Sequence, residues 1–169
     1  IDILVNNAAT FSRDVLIDTK HDTLNHVMNV NFIAPFMLVS AFAKNLIEQA
    51  RPGSIVNVSS LSASVSRGEM AAYQCSKAAL EMLSKSAAYE LAGRHIRSNV
   101  IAPGLIETPA NLNQRASQAE VWERRLSTIP LGRAGTPSDL TAAAVYLGSD
   151  EATWVTGCKI VVDGGASTF

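Results

Sequence analysis

Apolar and polar positions divide this chain into two alternating kinds of segment. Short apolar runs with the length of buried strands occur at 3–5, within 54–60, within 96–104 and within 158–165. Longer stretches with apolar residues at helical spacing lie between them. Strands separated by helices of this length predict βα units, and therefore a parallel sheet with helices on both faces. The fold class is α/β.

Three helical stretches have clear limits. Residues 21–50 predict one long helix or two helices in series, ended by Arg51-Pro52-Gly53. Residues 71–93 predict a helix with Gly93 as its C-terminal cap. A third helix begins at Thr136, which serves as N-cap before Pro137 at the first helical position. Residues 105–130 form a polar segment with short helices.

Polar or turn-forming residues follow three of the predicted strands. Asn6, the pair Ser59-Ser60 and the pair Pro103-Gly104 each stand where a strand ends. Ligands of such sheets bind beyond the carboxyl ends of the strands. We therefore expect these residues to converge on one edge of the sheet.

Composition limits the classes of function. The chain has 169 residues, of which 47% are apolar, and this predicts one domain over 1–169. Its net charge of −1 gives no sign of a nucleic-acid or membrane partner. No uninterrupted apolar run approaches the roughly 18 residues of a membrane span. Cys75 and Cys158 lack metal-site spacing, so we expect a reduced, cytoplasmic protein without a metal.

Candidate chemistry centres on Tyr73 and Lys77, which are four residues apart and share one helix face. An ammonium about 4 Å from the phenol is worth roughly 4 kcal/mol at an effective dielectric of 20. That energy corresponds to a lowering of the tyrosine pKa by roughly 2–3 units, enough for acid–base work near neutral pH. Spacing alone favours the alternative, an exposed surface pair.

Two further residues change that balance. Ser60 ends the strand whose loop leads into the tyrosine helix, so its hydroxyl is placed to bond a substrate carbonyl oxygen. Pro35 has no N–H to offer the carbonyl of Asn31, which is left to bind another group such as water or a lysine. A simple proline kink is the alternative explanation.

Together these residues resemble the short-chain dehydrogenase/reductase family over nearly the whole chain. The motifs are Asn-Asn-Ala-Ala at 6–9, Asn31, Ser60, Tyr73-x-x-x-Lys77, the segment 99–108 and the segment 155–165. The resemblance implies an NAD- or NADP-dependent oxidoreductase on a Rossmann-type, doubly wound parallel sheet. It implies reversible hydride transfer between the nicotinamide and an alcohol or carbonyl substrate.

The resemblance also implies a role for each catalytic position. Tyr73 is the expected acid/base. Lys77 is expected to lower the tyrosine pKa and to hold the nicotinamide ribose hydroxyls. Ser60 would orient and polarise the substrate carbonyl. Asn31 would hold, through its backbone carbonyl, a water that links Lys77 to a proton relay.

The same resemblance assigns cofactor contacts, and Tyr73 and Lys77 are among the residues expected to make them. Asn6 and Ala8 are expected near the adenosine ribose. Pro103 and Gly104 would flank the nicotinamide ring. The Ile106 backbone and the Thr108 hydroxyl are expected near its carboxamide.

Two departures from the family pattern bear on this expectation. Ala9 replaces the usual glycine, at some cost in backbone freedom. The Gly-rich phosphate loop of the family does not occur in these 169 residues, which correspond to strands 4 to 7 of the family sheet and so to its C-terminal part. We expect the intact protein to be an enzyme, residues 1–169 alone to be inactive, and the first strand to be an exposed apolar edge.

The sequence leaves alternatives for the class of substrate and for the oligomeric state. Residues 105–130 resemble the family's mobile lid and offer Leu105, Glu107, Leu112 and Trp122 to a substrate. The sequence looks like both glucose 1-dehydrogenases and 3-oxoacyl carrier-protein reductases: a basic patch near the cleft would favour an acidic carrier protein, and a small polar pocket a sugar. A non-catalytic binding or scaffold module is the rival function. The resemblance implies a homodimer or homotetramer, built in part on the helices at 32–48 and 71–92.

Overall fold

A parallel sheet of four strands organises the molecule, described here from a computed structural model that covers residues 1–66 and 68–168, with residues 110 and 112–114 as backbone only. The strands are β1 Ile3–Asn6, β2 Gly53–Val58, β3 Ile96–Pro103 and β4 Lys159–Val162. They lie side by side in chain order, and every neighbouring pair is parallel. The predicted Rossmann-type α/β class is confirmed.

Helices connect the strands. They are α1 His21–Met28, α2 Ala34–Glu48, α3 Ala71–Leu91, α4 Pro109–Ser117, α5 Ala119–Leu126 and α6 Pro137–Gly148. The N-terminus of α6 has the predicted cap: the Thr136 side chain accepts from the backbone N–H of Asp139, whose carboxylate accepts from the Thr136 N–H.

Both faces of the sheet are covered because successive strand residues point in opposite directions. Ile55 packs with Val39 and Leu46 of α2 on one face. Its neighbour Val56 packs with Leu147 of α6 on the other face. Two apolar layers therefore hold the strands in place, and the carboxyl ends of β1, β2 and β3 are left at one common edge.

The long helical segment is two helices in series, joined by a wide turn. Residues Asn29–Ile33 form a π-helix between α1 and α2, and the N–H of Ala34 bonds to the carbonyl of Asn29. Pro35 follows directly. A π-turn moves the preceding carbonyls away from the proline ring, so the helical direction continues where an α-helix would clash.

The end of α3 corrects one prediction. Gly93 is not the cap, because it lies in a 3₁₀ turn over Ala92–Arg94 with an ordinary backbone angle. The left-handed residue is His95, with φ of 56°. The His95 carbonyl accepts a hydrogen bond from the Gly53 N–H of the neighbouring strand. The chain therefore has to change from helical to extended backbone at His95, just before β3.

Helical residues His21–Glu48 are long and apolar enough to cross a membrane by length and composition alone. This differs from the expectation based on uninterrupted apolar runs. The buried residues of α2 lie along one side, where Val39, Ala43 and Leu46 cover the sheet. This packing makes the segment a layer of the α/β fold, with its outer apolar side exposed.

The first strand is an edge strand, as predicted. Among the described residues, β2 alone pairs with it, and Ile3 and Val5 are 47% and 51% exposed. An open apolar strand edge promotes association with other chains.

Candidate active site

One cleft of about 840 Å³ lies at the carboxyl edge of the sheet. Seven of the residues singled out from the sequence line it together. They are Ser60, Tyr73, Lys77, Pro103, Gly104, Ile106 and Thr108. The predicted convergence of strand ends therefore occurs, and it brings the Tyr–Lys helix to the same place.

Tyr73 stands in the first turn of α3 and faces this cleft. Its side chain is hydrogen-bonded to that of Ser60. The ring of Phe11 meets the tyrosine ring edge-on, with centroids 6.5 Å apart. A hydroxyl and an aromatic edge therefore fix the position of the phenol from two sides.

The pKa of Tyr73 is raised above its ordinary value, because burial penalises the phenolate more than the Ser60 hydrogen bond favours it. This corrects the expectation that Lys77 lowers the pKa. The ammonium lies 5.9 Å from the centre of the tyrosine ring and is directed elsewhere. The phenol is therefore protonated at neutral pH and suited to donate a proton.

Lys77 is buried, with only 2% of its surface exposed. Its Nζ donates to the carbonyl of Val58, the last residue of β2, over 2.7 Å. Burial lowers the pKa of Lys77 to about 8. The lysine thus ties α3 to the end of β2 while its head group lines the cleft.

Ser60 follows β2 with extended backbone, directly before a 3₁₀ turn at Leu61–Ala63. Its Oγ accepts a hydrogen bond of 3.1 Å from the Ser62 N–H. The hydroxyl proton stays available for Tyr73 or for an oxygen atom in the cleft.

The neighbouring Ser59 is held by a charged pair. Its Oγ donates to Glu81 of α3 over 2.8 Å. Lys159, at the start of β4, pairs with the same carboxylate at 2.9 Å and also donates to Ser64 over 2.6 Å. This network fixes the loop that carries Ser60 on both sides, and it was not predicted because its members are far apart in the chain.

Asn31 is fully buried but does not line the cleft. Its side chain makes two 2.8 Å bonds with the backbone of Thr10, accepting from the N–H and donating to the carbonyl. It also donates to Ser76 of α3 over 2.9 Å. Asn31 thereby joins the loop after β1 to the tyrosine helix, a side-chain role that the proline argument did not predict.

The loop after β1 presents different residues from those expected. Asn6 is buried and donates to Asn57 of β2 over 2.8 Å, and the exposed Ala8 does not line the cleft. Asn7 and Ala9 line it instead. The backbone of Ala9 is not left-handed, so the loop has no steric need for glycine at this position.

Gly104 is required by close approach. A Cβ on this residue would lie 2.7 Å from the Cα of Asp163, just after β4. Beyond it, Asn111 donates to the Ile106 carbonyl over 2.7 Å and accepts from the Thr108 N–H over 2.9 Å. Asn111 thus holds the segment with both expected carboxamide contacts and lines the cleft itself.

The predicted lid at 105–130 places only some of the expected side chains in the cleft. Leu105 lines the cleft, whereas Glu107 pairs with Arg115 and Trp122 is 97% buried outside the lining. The side chain of Leu112 lies outside the described residues. Polar and charged lid side chains such as Arg124 line the cleft where Trp122 was expected.

Metal ligands do not cluster in the part of the chain that the structure describes: no group of three or more His, Cys, Asp or Glu side chains is placed to hold an ion. Cys75 and Cys158 are both free thiols. Hydroxyl, phenol and ammonium groups are present in the lining of the cleft, on Ser60, Tyr73 and Lys77.

The chain is similar to proteins of known family. A family model described as enoyl-(acyl carrier protein) reductase matches residues 1–167. The 3-oxoacyl-[acyl-carrier-protein] reductase of Thermotoga maritima is 41% identical over 98% of the chain. The chain belongs to the short-chain dehydrogenase/reductase family. It spans 65% of the length of that Thermotoga relative.

Solved structures of short-chain dehydrogenases/reductases superimpose closely. A protein from Agrobacterium tumefaciens proposed to be a 2-deoxy-D-gluconate 3-dehydrogenase, with bound NADP, matches with a TM-score of 0.97, 37% identity, and coverage of 100% of this chain and 68% of its own. A gluconate 5-dehydrogenase from Burkholderia cenocepacia, in complex with NADP and tartrate, matches with a TM-score of 0.95, 32% identity, and coverage of 100% and 66%.

Several residues of this short-chain dehydrogenase/reductase cleft escaped prediction. Phe11, Asn111, Arg124 and Arg125 line it from loops and lid helices without sequence regularity. The one usable signal was charge, because Arg124-Arg125 is the only place in the sequence where two lysine or arginine residues are adjacent. Nothing local in the sequence places that pair beside Tyr73.

Proposed function

We propose that the protein containing this chain catalyses reversible hydride transfer between NAD or NADP and an alcohol/carbonyl pair. The observation that supports this most directly is the common cleft of Ser60, Tyr73 and Lys77. These groups come from two elements, and the Ser60–Tyr73 hydrogen bond places a hydroxyl beside the phenol. Such a pair can bind one carbonyl oxygen with two donors.

In the direction of reduction, Tyr73 donates its proton to the oxygen of the substrate as that oxygen becomes an alkoxide. Its raised pKa keeps the phenol protonated before the step. Ser60 donates a hydrogen bond to the same oxygen and lowers the energy of the developing charge. In oxidation, the phenolate accepts the proton of the alcohol.

Lys77 and Asn31 are proposed to return the proton to Tyr73. The Lys77 head group lines the cleft, and its lowered pKa allows it to release a proton near pH 8. The backbone carbonyl of Asn31 would hold a water between the lysine and solvent. The π-turn around Asn31, followed by Pro35, supports this role because it changes the bonding of the local carbonyls.

The nicotinamide half of the cofactor fits the residues present, and the bound nicotinamide supplies or accepts the hydride. Gly104 lines the cleft at the expected ring position, and it has no side chain because its backbone packs against Asp163. Pro103, Ile106 and Thr108 line the same part of the cleft and would hold the ring and its carboxamide. Lys77 would hold the ribose hydroxyls, and Asn6 and Ala8 would lie near the adenosine ribose.

We further propose that a polypeptide of residues 1–169 alone does not turn over. The 169 residues contain no Gly-rich loop to hold the pyrophosphate. Cofactor titration of the purified 1–169 polypeptide tests this: clear binding would contradict it.

Assembly as a homodimer or homotetramer is part of the proposal. The outer side of α2 carries Phe36 and Met37, which are 47% and 62% exposed. Contact with the same face of a second copy would remove these apolar side chains from water. Cytoplasmic location, expected from the two free thiols, stays a prediction.

The decisive experiment follows nicotinamide absorbance with the complete protein. A panel of alcohols is tested with NAD and NADP, and the matching carbonyls with NADH and NADPH. Turnover of any pair supports the proposal. A protein that binds cofactor but turns over no member of a broad panel would support the rival function, a binding or scaffold module.

A further inference from the structure

The segment 105–108, which leads from the end of β3 to the start of α4, is held from one side by backbone bonds. Gly135 donates to the Leu105 carbonyl over 2.9 Å and accepts from the Glu107 N–H over 2.8 Å. Ile106 lies between these two bonds and forms a parallel bridge with Gly135. Because Gly135 bonds to the residues on either side of Ile106, the N–H and the carbonyl of Ile106 itself face away from Gly135.

Asn111, in the first turn of α4, holds the other side of the segment. Its side-chain amide donates to the Ile106 carbonyl over 2.7 Å, and its side-chain oxygen accepts from the Thr108 N–H over 2.9 Å. Thr108 directly precedes α4, so this oxygen satisfies a backbone donor at the start of the helix. One carboxamide therefore bridges Ile106 and Thr108 and fixes the two residues relative to each other.

Two polar groups of the segment are left for a ligand. Within the described part of the chain, neither the Ile106 N–H nor the Thr108 hydroxyl has a hydrogen-bond partner. Both residues line the cleft and are only partly buried. A backbone N–H donates, whereas a hydroxyl can also accept. A carboxamide offers one carbonyl oxygen and one NH₂ group, so these two groups are complementary to it.

We propose that Asn111 is a positioning residue for the cofactor. By bridging Ile106 and Thr108, it keeps the Ile106 N–H and the Thr108 hydroxyl in fixed positions for the carboxamide of the nicotinamide. This inference rests on the proposed function, in which Ile106 and Thr108 hold that carboxamide. It adds a residue of lid helix α4 to the cofactor site and links the lid to the nicotinamide through one side chain.

The segment does not need Asn111 in order to stay at the cleft. Its two backbone bonds to Gly135 are independent of the Asn111 side chain. Gly135 also packs closely on the segment, since a Cβ there would lie 2.7 Å from the Cδ1 of Ile106. Removing the Asn111 amide should therefore release the Ile106 carbonyl and the Thr108 N–H without unfolding the segment, and the loss should appear in cofactor affinity.

The test measures the Kd of NAD, NADP and their reduced forms by calorimetric titration of the complete protein, with no substrate present. Asn111→Ala should raise the Kd of the preferred dinucleotide roughly three- to tenfold, the range for one neutral hydrogen bond. Asn111→Asp keeps the acceptor for the Thr108 N–H but loses the donor for Ile106, so its Kd should lie between. Glu123→Gln, exposed on α5 and outside the lining, is the control and should leave the Kd unchanged.

A cofactor analogue shows whether the effect acts on the carboxamide. In the 3-acetylpyridine analogue of the dinucleotide, a methyl ketone replaces the carboxamide, so the carbonyl oxygen is kept and the NH₂ group is absent. The analogue can accept from the Ile106 N–H but has no donor for the Thr108 hydroxyl. Asn111→Ala should therefore raise its Kd less than it raises the Kd of the natural dinucleotide. A general loosening of the lid would raise both equally.

A double-mutant cycle shows whether Asn111 acts through Thr108. Thr108→Val removes the hydroxyl and keeps the backbone N–H that Asn111 holds. If Asn111 positions that hydroxyl, Asn111→Ala should raise the Kd less in the Thr108→Val protein than in the wild type. Two independent contributions would multiply instead.

Three results would overturn the inference while leaving the proposed function intact. They are an unchanged Kd in Asn111→Ala, equal rises in Kd for the natural dinucleotide and its acetylpyridine analogue, and independent effects of the two substitutions in the cycle. A complete wild-type protein that binds none of the four nicotinamide dinucleotides would contradict the proposed function itself.

Discussion

The Nζ of Lys77 donates to the carbonyl of Val58 over 2.7 Å and lies 5.9 Å from the centre of the Tyr73 ring. The lysine that was expected to act on the phenol is therefore bonded to the end of β2. Burial is left as the main influence on both titrating groups: it raises the pKa of the tyrosine and lowers that of the lysine.

Removing the phenol hydroxyl tests the proposed acid. Tyr73→Phe in the complete enzyme should lower kcat by roughly 10²–10⁴-fold, the usual contribution of a general acid. Cofactor affinity, measured by fluorescence titration, should change little because the ring stays in place. Tyr89→Phe, at an exposed position of the same helix, is the matched control. Unchanged turnover in Tyr73→Phe would exclude the mechanism.

The titration of Tyr73 can be observed directly in cofactor-free protein. The difference in tyrosinate absorbance between the wild type and Tyr73→Phe should show a group that titrates above 10.0, because burial disfavours its phenolate. A titration below pH 8 would instead support the lowering that the spacing of Tyr73 and Lys77 suggested. The same spectra recorded with cofactor bound would show how far the nicotinamide changes this value.

Lys77 should make stability depend on pH. Its folded-state pKa of about 8 lies below the ordinary 10.5, so between these values the unfolded chain binds more protons than the folded one. The free energy of unfolding should therefore rise with pH from 8 to 10, by on the order of 3 kcal/mol at most over the full interval. Urea unfolding of cofactor-free protein measures it.

Two substitutions check this assignment. In Lys77→Met, the free energy of unfolding should no longer rise between pH 8 and 10, because the variant has no buried ammonium that loses its proton in this range. Lys85→Met, at an exposed position of α3, should keep this rise. Tyr73 acts in the opposite direction only above pH 10, where the unfolded chain ionises first. If the free energy of unfolding rises equally with pH in the wild type and in both variants, another group is responsible for the rise.

The Glu81–Lys159 pair should position Ser60 through Ser59. Glu81→Ala removes both the acceptor for Ser59 and the partner of Lys159, and we expect roughly a tenfold fall in kcat with the cofactor KM unchanged. Glu81→Gln keeps the acceptor and should retain more activity. Glu90→Gln, exposed on the same helix, is the control. Equal kcat in all variants would show that the loop does not need this pair.

Asn31 should matter for stability as well as for the proposed relay. Asn31→Ala leaves the Thr10 N–H and carbonyl without their side-chain partner in a buried place. The expected loss in the free energy of unfolding is about 1–3 kcal/mol. Asn45→Ala, at an exposed position of α2, should cost much less. Chemical unfolding of both variants measures the difference.

The sequence by itself determined the elements and the candidate reacting residues. Apolar periodicity located all four strands to within two or three residues, because buried strands and amphipathic helices impose different repeats on the chain. Spacing and resemblance located Ser60, Tyr73 and Lys77, which the structure then brings to one cleft. The Thr136 cap was also predictable, since it depends only on residues close in sequence.

Tertiary structure decided everything that depends on burial or on distant partners. The pKa of Tyr73 followed from burial, which a spacing of four residues does not reveal. The side chain of Asn31 bonds to Thr10 and Ser76, and Glu81 pairs with Lys159, which is 78 residues away in the chain. Arg13 and Arg124 are far apart in the sequence but line the same cleft in the folded chain. The interaction between their charges depends on their distance in space, which the sequence alone does not give.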